Sequence, residues 1–212
     1  MNKICNKIYD NFLTIVGDIK FFKYPMFIIY DPSEYGVTGD DMDTIQRVIQ
    51  PGDILLRAYS YYVDGLFIPS QFSHAAFYKG RGIGVHAIGE GVRPFSLLEF
   101  LRCDAVAVLR FKNITQQQIQ IAIDNANALI GKPYDFEFES DDDEYYCSEL
   151  ITYIYKHMLD KLQVVPRLIR PLKVLKRIAI LPDDLATSPA INLVYANSVG
   201  KKKCRKLGIN FL

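Results

Sequence analysis

Residues 73–95 read SHAAFYKGRGIGVHAIGEGVRPF, and the fold is decided here. Two runs of apolar and aromatic residues flank KGRGIG, residues 79–84, whose glycines permit a tight reversal. Two strand-like runs about such a turn form a β-hairpin. Each arm carries one histidine, His74 and His86, so the two can face each other across the hairpin.

Working outward, the turn dipeptide Pro51-Gly52 precedes DILLR, residues 53–57, which opens a strand before the hairpin. A short helix is expected around DMDTIQRVIQ, just upstream. After the hairpin, AVAVLRF from Ala105 extends the sheet. ITQQQIQIAIDNANALI then places apolar residues at helical spacing, with Thr115 as N-cap and Gly131 and Pro133 as the stop. CSELITYIYKHML is a second helix, with Ile151, Ile154, Tyr155 and Met158 along one side and Cys147 at its start. The expected fold class is α+β: a small antiparallel β-sheet carrying both histidines, packed against the helix headed by Cys147.

Composition narrows the rest. Of 212 residues, 50% are hydrophobic and 23% charged, enough apolar material for one core. A net charge of +1 offers no global field for nucleic acid, so no nucleic-acid partner is expected. Cys5, Cys103, Cys147 and Cys204 are scattered without a CxxC pair, which fits a reducing compartment. Residues 1–30 are rich in aromatic and aliphatic side chains. Asp10, Asp18, Lys20 and Lys23 interrupt them below the quality of a signal peptide or membrane span. A cytoplasmic location is the expectation. The division expected is an extension over 1–50, a catalytic core over 51–160 and a C-terminal extension over 161–212. That last part ends in the basic tail KKKCRK, a candidate for weak contact with an anionic membrane surface.

A cysteine reacts as thiolate, and both a helix N-terminus and a neighbouring imidazolium lower a thiol pKa. Cys147 has the first by position and is offered the second by His74. His74 reads as a general base or as a strand histidine bonded in the core; His86 as the group orienting His74 or as a half-exposed hairpin residue. Cys103 reads as core, Cys5 and Cys204 as incidental, and His157 lies too far along its helix to meet Cys147. Two histidines and a cysteine could also ligate zinc. The acidic run SDDDE, residues 140–144, lacks the ligand spacing and glycine of a calcium loop, and no cofactor motif is present.

GDILLR, FSHAAFY, VHAIGEGV, LLEFL, GKPYDFEFE and YYCSEL together resemble the permuted NlpC/P60 families, in particular the YiiX-like and YycO-like group. The resemblance covers roughly residues 51–160. It implies a circularly permuted papain-like fold, in which the histidine strand precedes the cysteine helix. It also implies a cysteine-dependent hydrolase of amidase or esterase type, or an acyltransferase, with a non-catalytic lipid- or partner-binding module of the same fold as the alternative. Position by position, Cys147 takes the place of the nucleophile and His74 that of the base. His86 stands where relatives carry glutamate or, in the lecithin:retinol acyltransferases, histidine. Glu90 is the reserve candidate for orienting His74, and Tyr134 and Tyr146 are candidates for an oxyanion donor or a pocket wall. The substrates implied are acylated small molecules, lipids or peptide amides. The run YSYYVDGLFIPSQF, residues 59–72, could line a pocket for them or be ordinary core.

Overall fold

The computed structural model describes residues 35–59, 70–138, 143–169 and 177–209, with the backbone of two short paired strands, β1 (Lys20–Phe21) and β2 (Ile28–Ile29). Cys5, most of the lead segment and most of the run 59–72 lie outside the described residues.

The first described helix, α1 (Gly39–Val48), starts at Thr38, whose hydroxyl accepts from the Asp41 N–H while the Asp41 carboxylate accepts from the Thr38 N–H. The strands β3 (Ile54–Ala58), β4 (His74–Gly80), β5 (Ile83–Ile88) and β6 (Gly91–Ser96) follow. Then come the short helix α2 (Leu97–Phe100), β7 (Ala105–Phe111), α3 (Gln116–Ala128) and α4 (Cys147–Ile154). The expected hairpin is β4–β5, and Thr115 caps α3 in a capping box with Gln118. Beyond α4 the chain forms a 3-10 turn (Lys156–Met158), α5 (Leu159–Leu162), a small hairpin β8 (Arg167–Ile169) and β9 (Arg177–Ala179), α6 (Pro182–Ala186), β10 (Ile191–Ala196) and α7 (Ser198–Lys206).

One antiparallel sheet of six strands organises the fold, in the order β10-β7-β3-β4-β5-β6. Its side chains alternate between two apolar layers, as strand geometry requires. Ile54, Leu56, Phe77, Val85 and Leu109 face Leu150, Ile151, Ile154 and Tyr155 of the cysteine helix, together with Ala122 and Ala126 of α3. On the other face Leu55, Ala76, Tyr78, Phe95, Val106 and Val108 meet Ile45 of α1 and Leu97 and Phe100 of α2. The fold is thus α+β, as expected.

The segment after α4, whose role the sequence left open, enters this architecture directly. β10 pairs with β7 from Ile191↔Phe111 to Ala196↔Ala107, with an irregularity between Leu193 and Tyr195. Asn197 caps α7 and is fully bonded: its Oδ1 accepts from the Val106 and Gly200 N–H groups, and its Nδ2 donates to the Gly36 and Asp104 carbonyls. The basic run is therefore helical, with Cys204 buried in the core and Lys201, Lys202, Arg205 and Lys206 exposed. Among the described residues no helix is long and apolar enough to cross a membrane.

Candidate active site

His74 opens β4 and lies directly across from Arg57 of β3, while His86 pairs with Ala76 in the next strand. This diagonal register brings the two rings together, with His74 Nε2 3.1 Å from His86 Nδ1. One nitrogen donates and the other accepts, so the bond needs at least one neutral ring. Both rings are neutral by environment. Burial, then Arg57 and His86, hold the His74 imidazole well below its ordinary range; burial, Arg57 and Arg93 push His86 down to about 3. The rings rest against Phe95 and Phe100, with centroids 4.8 Å apart for His86–Phe95 and 5.9 Å for His74–Phe100.

Cys147 is the first residue of α4, after the N-cap Tyr146. Its thiol is buried and receives the N–H groups of Ala75, Ser148 and Cys147 itself, with the Ser148 hydroxyl 3.8 Å from the sulfur. Ala75 follows His74 and lies one residue beyond the last β4–β5 pair, Ala76↔His86, so its N–H serves the sulfur where these strands part. No hydrogen bond joins Cys147 to either histidine among the described residues. The expectation of a lowered thiol pKa meets a correction: the helix-start donors pull it down, but burial is the larger effect and pushes it above its ordinary value. With both imidazoles also held neutral, no imidazolium offsets that burial.

The remaining candidates separate. Tyr134 is near the thiol: burial raises its phenol well above the usual range, and Cys147 is the next largest cause. Tyr146 is buried against Ile169, Ala179 and Leu181, and its hydroxyl accepts the Ile180 N–H at 3.0 Å. That hydroxyl therefore anchors the β9 segment beside the cysteine helix. Glu90 is exposed in the turn between β5 and β6 and bonds neither histidine; His86 is the residue brought to His74. His157 is exposed, and Cys103 is core. Cys204, expected to be incidental, is core as well.

Three contributors escaped the sequence reading. Arg57 and the Ala75 N–H are supplied by strand register, which composition does not reveal. Glu149 had a legible signal, an acid three residues after the helix cap. Its carboxylate accepts the Tyr146 N–H, and burial followed by Asp135 raises it to about 7. Among the described residues no group of three or more His, Cys, Asp or Glu side chains is disposed to hold a metal ion, so a zinc centre built on His74, His86 and Cys147 has no support in the donor geometry.

The fold has a counterpart among known proteins. Residues 48–195 match the model of a family described as permuted papain-like amidase enzyme, YaeF/YiiX, C92 family. The chain belongs to this family. A crystal structure of the metalloprotein yiiX from Escherichia coli O157:H7 is similar to this permuted papain-like chain with a TM-score of 0.59 and 21% identity. The likeness covers 70% of this chain and 97% of that one, and at this identity it bears on the fold alone. No curated protein matches the sequence of this family member.

Proposed function

We propose that the chain is a cysteine-dependent hydrolase of amide or ester bonds in acylated or peptide-amide substrates, with Cys147 as nucleophile and His74 as its base. The observation that carries this reading is the buried Cys147 thiol at the start of a helix that packs on β4 and β5, the two strands whose histidines are hydrogen-bonded to each other. For His74 Nδ1 to take the thiol proton, Nε2 must carry hydrogen and donate to His86 Nδ1, which makes His86 the orienting group.

The sulfur then bonds to the acyl carbon as its proton passes to His74, and the carbonyl electron pair moves onto oxygen. Backbone N–H groups at the start of α4 and the Tyr134 phenol are the donors we assign to that oxyanion. Collapse breaks the bond to the leaving group, which takes the proton from His74 and departs as amine or alcohol. Water, deprotonated by His74, then releases the carboxylic acid and the free thiol. Because thiol and imidazole both rest neutral, this first proton transfer accompanies attack rather than preceding it.

Incubation with an activated acyl ester followed by intact-protein mass spectrometry tests the assignment. We expect one acyl adduct, mapped to Cys147, absent from Cys147→Ala and slowed about 10²–10⁴-fold in His74→Ala. Equal labelling of Cys147→Ala would remove Cys147 from the mechanism.

A further inference from the structure

Arg57 borders the histidine pair without contributing to the mechanism above. Its guanidinium carbon lies 4.7 Å from the centroid of the Phe100 ring and 5.4 Å from that of Tyr59. Phe100 is shared with His74, at 5.9 Å between centroids, and with His86, at 6.4 Å. Stacking on aromatic rings leaves the guanidinium N–H donors pointing outward in its own plane, the geometry that takes two oxygens side by side. Among the described residues no hydrogen bond consumes those donors. The Nε atom is buried without a hydrogen-bond partner. The ion pairs among the described residues are Arg110–Asp53, Lys132–Asp143 and Arg167–Asp184, none of which involves Arg57. Among the described residues no carboxylate forms an ion pair with this half-buried cation beside two imidazoles, an arrangement that an anion would relieve.

We propose that Arg57 is an anion subsite of the active centre, binding a carboxylate or phosphate group that the substrate carries close to its scissile bond. The proposal rests on the hydrolase reading and narrows its substrates to acylated molecules with an anionic head. It also links binding to chemistry: Arg57 is among the groups that depress both histidines, so an anion at its guanidinium restores basicity to His74 as substrate arrives.

Binding can be measured apart from turnover in full-length Cys147→Ala protein by calorimetry. The probes are N-octanoylglycine, its neutral glycinamide counterpart and N-octanoyl-aminoethyl phosphate. An anionic probe is expected to bind at least tenfold more tightly than the amide, and the tighter of the two anions identifies the head group. Arg57→Gln should erase the difference and Arg57→Lys should keep part of it, with thermal melts confirming that each variant is folded. A general packing role for Arg57 would weaken all three ligands alike. Equal affinities for all three in protein carrying Arg57 overturn the subsite. Turnover by wild-type protein separates the two readings: anion-selective binding without hydrolysis supports the subsite and sinks the hydrolase, whereas hydrolysis indifferent to charge does the reverse.

Discussion

Cys147 gathers the donors that would favour a thiolate, yet its environment favours the thiol, because removing a charge from water outweighs several hydrogen bonds to it. The same force acts on Cys103, pushed up to about 12, and on Cys204, pushed up to about 11, which provide internal standards. Alkylation by iodoacetamide, followed cysteine by cysteine with mass spectrometry, should be slow for Cys147 at pH 7 and rise through and beyond pH 9. Rapid, pH-independent labelling below pH 8 would show instead that an imidazolium–thiolate pair exists at rest. The sequence made Cys147, His74 and His86 visible because helix starts and hairpin arms leave local signals. It could not weigh burial against the helix-start donors, since burial is set by residues brought in from other elements. Glu90 illustrates the same limit: one turn beyond His86 in the chain, it points to solvent while the diagonal register delivers His86.

The elements that hold His74 in place come from distant parts of the chain. The buried carboxylate of Asp183, in α6, accepts the N–H of Gln71 at 2.6 Å and of Phe72 at 3.0 Å, tying down the approach to β4 from more than a hundred residues away. At the far edge, Val92 N–H donates to the Lys132 carbonyl and Gly131 N–H to that of Val92, so β6 fixes the segment leading to Tyr134. A side chain at Gly91, where φ is +100°, would come within 2.5 Å of that same Lys132 oxygen. Asp183→Ala leaves one buried and one partly buried N–H group unmet, at about 1–3 kcal/mol for the buried one and less for the other. Urea unfolding should show a loss on the order of 2 kcal/mol or more, accompanied by slower acyl-adduct formation on Cys147. A variant of unchanged stability would mean that water replaces the carboxylate and that α6 is dispensable to the site. None of this was legible in residues 161–212, which carry no motif and whose strand β10 joins the sheet through a non-local pairing with β7.

Across the whole molecule, the two-sided sheet explains why the hairpin could be read and the packing order could not: alternation fixes which residues share a face, but the facing helices are chosen by complementarity of distant surfaces. It also sets the response to acid. His74 and His86 are held below their ordinary pKa, so an unfolded chain takes up protons below about pH 6.5 that the native state refuses. Their contribution is complete above pH 6.5 and is lost as pH falls towards the native value of about 3 for His86. The slope is at most about 1.4 kcal/mol per pH unit for each ring. Glu149 acts with the opposite sign. Raised to about 7, it binds its proton more tightly in the native state, so it favours folding as pH falls from 7 towards 4.5 and then adds nothing further. Its partial exposure screens that contribution. Asp41, lowered below 3.8, enters only in stronger acid. Urea unfolding between pH 7 and pH 4 should therefore show stability declining with acid, more steeply below pH 4.5. His86→Phe should flatten the decline and Glu149→Gln should steepen it between pH 6.5 and 4.5. If His86→Phe leaves the slope unchanged, the imidazole is not protonated differently in the two states, and the dry, neutral histidine pair on which the proposed proton transfer depends is not how the resting site is built.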